Sequence, residues 1–134
     1  MKKAAENAST VDQASVDSEK QEQIALLVRE LSTEPDDWAS FPLLLALTNT
    51  PEYNRLKLCE ELTELTEVLL KYNNKVEAYK PDESKIVEEM GDVILRWFVL
   101  VFQMDVEDEI AARVEGKCKK LFKHFVDGKY KGGL

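Results

Sequence analysis

The sequence predicts an all-α protein, an antiparallel four-helix-type bundle, and three observations predict it. Apolar residues recur at intervals of three and four along several long stretches, the period of a helix with one buried face. Only five glycines and four prolines interrupt the 134 residues. Alternating polar and apolar runs, the mark of half-buried strands, are few. This length suits one domain with a sizeable core. We place that domain at residues 19–134, behind a polar lead-in at 1–18.

Residues 1–18 are mostly Ala, Ser, Asn, Asp and Lys, a composition with little to bury. From Lys20 to Leu31 the residues Ile24, Leu27, Val28 and Leu31 form one stripe, so a first helix is expected there. Ser32 to Asp37, containing Pro35, ends it. Trp38 to Leu47 is a short apolar piece with a helix starting near Pro42. Thr50 and Pro51 make a helix start, Thr as the capping residue and Pro at the first helical position. That helix carries Leu58, Leu62, Leu65 and Leu69, with Tyr53, Leu56, Cys59 and Val68 beside them. Asn73 and Asn74 suit its end, because Asn tolerates a left-handed cap. A polar connection runs to Pro81 and Asp82. Ser84 then serves as a cap for a helix over about Lys85 to Met104. Asp105 is read as the cap of a last helix reaching about Val126, followed by a basic, glycine-rich tail.

Charge narrows the function classes. Twenty-six acidic residues against 18 basic ones give a net charge of -8, and no basic patch dominates, so a nucleic-acid polymer is not the expected partner. The longest apolar stretch, Val93 to Phe102, is interrupted by Arg96 and too short to span a bilayer. Lys2 and Lys3 are not followed by the apolar segment of a secretory signal. Cys59 and Cys118 lie in expected helices without a CxxC spacing. They read as reduced thiols of a cytoplasmic protein.

Two acidic runs point to chemistry. Glu60-Glu61-Leu62-Thr63-Glu64 and Glu88-Glu89-Met90-Gly91-Asp92 each set carboxylates three residues apart, on one face of a helix. The second run opens an otherwise apolar helix, where an acid is costly unless a cation compensates it. Glu89, Asp92 and Arg96 form one row of that helix, and Lys57, Glu61 and Glu64 one row of the other. If Glu64 and Glu89 are level on antiparallel helices, the connecting turn is centred near residues 76–77, inside the polar stretch. Helices in such a hairpin pack about 8–10 Å apart, so four carboxylates can share metal ions. Two carboxylates about 4 Å apart repel by about 4 kcal/mol at an effective dielectric near 20. Four converging without a cation are therefore unstable near neutral pH. Hard oxygen ligands of this kind select Mg²⁺, with Mn²⁺ as the alternative. Taken singly, each motif has a plainer reading. Glu-Glu-x-x-Glu is ordinarily a solvated face, Asp92 can pair with Arg96 one turn later, and Glu67 with Lys71 fits a surface ion pair.

Glu60-Glu61-x-x-Glu64, then 24 residues, then Glu89-x-x-Asp92, resembles the EExxE…ExxD signature of MazG-like all-α nucleoside triphosphate pyrophosphohydrolases. The resemblance covers about residues 50–126. It implies Glu61, Glu64, Glu89 and Asp92 as Mg²⁺ ligands, with Glu60 as an outer group or the base that orients the attacking water. It also implies conversion of a (d)NTP to the (d)NMP and pyrophosphate, by attack at the α-phosphorus, for nucleotide-pool cleansing. Members form homodimers or homotetramers. Lys57, Arg96, Lys120, Lys123, Lys129 and Lys131 are the cations available to the triphosphate, although a basic last turn is also what the helix dipole favours. Asp37-Trp38-Ala39-Ser40-Phe41 resembles the Asp-Trp-x-x-Phe segment of dCTP pyrophosphatases, whose aromatics stack on the base. Its distance from Glu60 is longer here, and Trp38 and Phe41 read equally as core packing. Trp97 and Phe98 are expected in the core, and His124 on the surface. The alternatives are a dUTPase-, dCTPase- or phosphoribosyl-ATP pyrophosphohydrolase-like enzyme of the same fold, and a non-catalytic helical interaction protein.

Overall fold

The computed structural model describes residues 2–33, 38–74 and 83–131, with side chains from residue 13 onward. Five helices occur among the described residues, and no strand: α1 (Lys2–Thr33), α2 (Phe41–Thr48), α3 (Pro51–Asn74), α4 (Glu83–Met104) and α5 (Glu107–Val126). No helix among them is long and apolar enough to cross a membrane. The chain divides into two units, residues 1–103 and 104–134.

In the first unit, α1 runs from Lys2, well before the expected start at Lys20. The lead-in holds no glycine or proline, and its Ala, Lys, Glu and Gln are good helix formers, so nothing stops the helix there. The side chains of residues 13–20 are all exposed. The expected stripe is only partly covered: Leu27 is buried, Ile24 and Leu31 are half-buried, and Val28 is exposed. Helix α1 packs on α2.

The start of α3 follows the sequence reading closely. The Tyr53 N–H donates to Thr50 Oγ1 at 3.2 Å, closing the cap with Pro51 at the first helical position. The helix is described as far as Asn74. Residues 34–37 and 75–82, which include Pro35 and the centre of the hairpin turn, lie outside the described residues. Helix α4 begins at Glu83, so Ser84 stands inside its first turn.

Contacts between α3 and α4 run in reverse order along the two helices. Gln103 Nε2 donates to the carbonyls of Ala46 (3.4 Å) and Asn49 (3.2 Å), next to the start of α3. Arg96 lies beside Lys57, and Glu89 and Asp92 lie beside Glu61. The two helices are therefore antiparallel. The buried residues of the two helices are Asn54 (1% exposed) and Val68 on α3 and Glu89, Val99 (0%) and Val101 on α4.

The opposite face of α4 is largely exposed, although Val101, on the same stripe, is buried. Val87, Met90, Ile94, Trp97 and Phe98 are all exposed in the single chain. Trp97 and Phe98 are 40% exposed, against the expectation of core positions. They sit on the side of α4 turned away from the charged row, and they pack edge to face on each other, centroids 5.2 Å apart.

The second unit contains α5. Asp105 is not its cap. The N-cap position is Val106, with no side-chain cap bond, and Asp105 takes φ 53° just past α4, where Asp tolerates the left-handed region. Glu107, Asp108 and Glu109 fill the first turn of α5, and Lys123 and His124 the last, as the helix dipole favours. Gly128, at φ 69°, lets the chain turn back. The Lys129 and Tyr130 N–H groups then donate to the His124 carbonyl at 2.8 and 3.1 Å, the reversed bonding of a left-handed helix end. His124 is half-buried. Cys59 and Cys118 are both exposed and free.

Candidate metal centre

Midway along the α3–α4 seam, one carboxylate oxygen each from Glu61, Glu89 and Asp92 lie within 4.8 Å of one another. The i, i+3 spacing puts Glu89 and Asp92 on the same row of α4, and the antiparallel pairing brings Glu61 across to them. Metal–oxygen bonds are about 2.0–2.1 Å for Mg²⁺ and about 2.3–2.6 Å for Ca²⁺. Oxygens this far apart span a single hard cation after at most a small side-chain rotation. The burial is graded: Glu89 is buried, Glu61 half-buried, and Asp92 exposed.

Glu89 supplies a further indication. Its Oε1 accepts an ion pair from Lys85 Nζ at 3.0 Å. Its Oε2 is buried and has no hydrogen-bond partner. An unpartnered carboxylate oxygen out of water is costly, and a cation between it and the neighbouring acids relieves that cost. The donor set is all oxygen, which fits a hard divalent ion and does not single out Mg²⁺.

Glu64, the fourth acid expected to converge, is exposed and is not one of these three, but it feels their charge. Desolvation on the seam, then the charges of Glu61, Glu89 and Glu60, push its carboxyl above the usual value of 4.5. The folded form thus disfavours the ionised acid, so stability falls as pH rises from 4.5 through the raised value. In chelator, wild-type unfolding midpoints are expected to approach those of Glu64→Gln as pH is lowered across that window, and to fall below them towards neutral pH. Parallel curves for the two proteins would remove Glu64 from the cluster. The side chain is exposed, so solvent screening keeps the effect small.

Cations flank the acids on both sides. Lys57 Nζ donates to Glu60 Oε2 at 2.9 Å; that hydrogen bond, then the charge of Glu60, raises the lysine above its usual value. Glu60, expected as the base, is therefore engaged by Lys57. Arg96 is half-buried beside Lys57. At the other end Lys85 touches Glu89 and, at 3.3 Å, Glu88, and these hydrogen bonds push it up to about 12. The expected surface pair Glu67–Lys71 is present at 2.7 Å and lowers the Glu67 pKa.

The remaining expected site residues lie elsewhere. Lys120 and Lys123 are exposed on α5, and Lys129 and Lys131 follow it, all in the second unit. Trp38 is exposed and meets the half-buried Phe41 edge to face, centroids 6.0 Å apart, so Trp38 is not a core residue. Two features escaped the sequence reading. One is Lys85, whose i, i+4 spacing to Glu89 was the available signal. The other is the buried amide group of Asn54 and Gln103, with Asn49 Nδ2 donating to Asn54 Oδ1 at 3.2 Å; no local pattern announces it.

Comparison of the chain with models of protein families, with curated proteins and with solved structures returns no match.

Proposed function

We propose that this chain is a divalent-metal-dependent nucleoside triphosphate pyrophosphohydrolase of the MazG-like all-α type, acting on (d)NTPs to give (d)NMP and pyrophosphate. The observation that carries the reading is the convergence of Glu61, Glu89 and Asp92 from two helices, with a buried, unpartnered oxygen on Glu89. Together with Glu64 these residues would hold the ion, with Mg²⁺ the first candidate and Mn²⁺ the second. Bound there, the ion supplies Lewis acidity, lowering the pKa of water and offsetting phosphate charge.

The chain's own groups account for the rest. Glu60, oriented by Lys57, accepts the proton of the attacking water. Water oxygen bonds to the α-phosphorus, the bond to the α–β bridging oxygen breaks, and pyrophosphate leaves with that electron pair. Lys57 and Arg96, next along the seam, offset the charge gathered on the leaving group. Lys120, Lys123, Lys129 and Lys131 are further candidates for the triphosphate, and Trp38 and Phe41 for the base. The bare stripe Met90, Ile94, Trp97 and Phe98 favours a homodimer or homotetramer of four-helix-type bundles.

The test is pyrophosphate release with Mg²⁺ across the eight common NTPs and dNTPs, with the preferred substrate rerun in ¹⁸O-water. Label is expected in the monophosphate. Label in orthophosphate, with a nucleoside diphosphate as product, would mean attack at the γ-phosphorus and a different mechanism. The same exposed stripe favours a second reading, a non-catalytic helical interaction protein, which predicts no turnover of any nucleotide.

A further inference from the structure

We propose that Lys85 is a built-in counter-ion of the acidic cluster, standing in for part of the metal's charge when no metal is bound and opposing its binding. This rests on the metal reading above and adds a residue that neither the acidic motifs nor their spacing include.

Three observations converge on it. First, Glu89 is 5% exposed, and a carboxylate so placed needs a compensating charge. Lys85 Nζ, 3.0 Å from Oε1, provides it, while Oε2 is left buried and unpartnered. Lysine and a divalent ion can therefore occupy the same carboxylate on different oxygens. Second, Lys85 is the third residue of α4, in a first turn where the helix dipole favours acids and disfavours cations. A lysine at that position gains nothing from its own helix end; the gain comes from Glu89 and Glu88. Third, among the described residues the other cations near the acids, Lys57 and Arg96, lie towards the opposite end of the row from Lys85. Lys57 is engaged by Glu60, which leaves Lys85 as the cation held on Glu89.

The consequence is a trade-off. Lys85 steadies the metal-free cluster, and its positive charge beside Glu89 weakens the attraction for a second cation. Mn²⁺ serves as the probe, its free aqua form followed by electron paramagnetic resonance, with thermal unfolding recorded in chelator and in saturating Mn²⁺. Lys85→Met is expected to bind Mn²⁺ roughly tenfold more tightly, to unfold at a lower temperature in chelator, and to gain more from Mn²⁺ than wild type does. Lys85→Arg keeps the charge and is expected to restore wild-type affinity.

Unchanged or weaker Mn²⁺ binding by folded Lys85→Met overturns the proposal, as does an Arg variant that behaves like Met. If Lys85→Met is unfolded in chelator, refolding on Mn²⁺ addition supports the proposal, and a chain still unfolded at saturating Mn²⁺ overturns it. A wild-type protein that binds no Mn²⁺ overturns the metal reading itself, and this proposal with it. Wild-type binding with an indifferent Met variant overturns only the role of Lys85.

Discussion

Asp92→Asn is expected to cut pyrophosphate release by on the order of 10²–10³-fold while the metal-free protein keeps its helicity and its unfolding midpoint. The two effects separate because Asp92 is exposed and its oxygen lies with those of Glu61 and Glu89. The amide keeps the shape but removes one negative charge from a self-repelling group, so the fold without metal loses nothing and can gain. With metal, a charged hard ligand has become a neutral, weaker one. The measurement pairs turnover at limiting and saturating Mg²⁺ with circular-dichroism melts in chelator. Near-wild-type turnover at limiting Mg²⁺ would take Asp92 out of the ligand set. A large fall in the chelator melt would make the residue structural.

Val99→Asp should have the largest effect on stability. Val99 has no exposed surface and sits on the α4 row that faces α3, one turn beyond Arg96. A carboxylate forced there costs several kcal/mol unless it stays protonated, comparable with the about 5–15 kcal/mol that holds a typical domain together. The variant is expected to be largely unfolded at neutral pH, and Val99→Ala to lose about 1.5–3 kcal/mol in urea titrations. Wild-type stability in the Asp variant would mean that the α3–α4 seam is not the core of the first unit.

Much of this was legible because it was local. Thr50 with Pro51, the helical rows of Glu61, Glu89 and Asp92, and the Glu67–Lys71 pair are all set within one or two turns of chain. The hairpin spacing brings the two acidic rows towards the same level, and oxygens of three of the four acids, Glu61, Glu89 and Asp92, lie within 4.8 Å of one another. What escaped depends on other things. The early start of α1 reflects propensity without a stop signal, which a search for apolar stripes passes over. Asp105 has the composition of a cap, but the preceding helix uses it first, in a left-handed turn. Trp97 and Phe98 were expected in the core because they are large and apolar. In the single chain, one face of α4 is spent on the charged row, and the stripe they occupy is covered only at Val101, one turn further on. The Gln103 contacts join residues more than fifty positions apart, to Ala46 and Asn49, and no window of sequence contains both partners.

Those amide contacts decide how far along α3 the α4 helix comes to rest. On the seam like charges neighbour like: Glu64 with Glu89, Glu61 with Asp92, Lys57 with Arg96. Sliding α4 by a single turn would set Lys57 against Asp92 and Glu64 against Lys85, so simple charge pairing favours the wrong register. Gln103, bonded to the Ala46 and Asn49 carbonyls, opposes the slip, because sliding α4 would break both of these bonds. The acidic cluster is thus held in an alignment that its own charges oppose, by a neutral side chain about three turns further along α4.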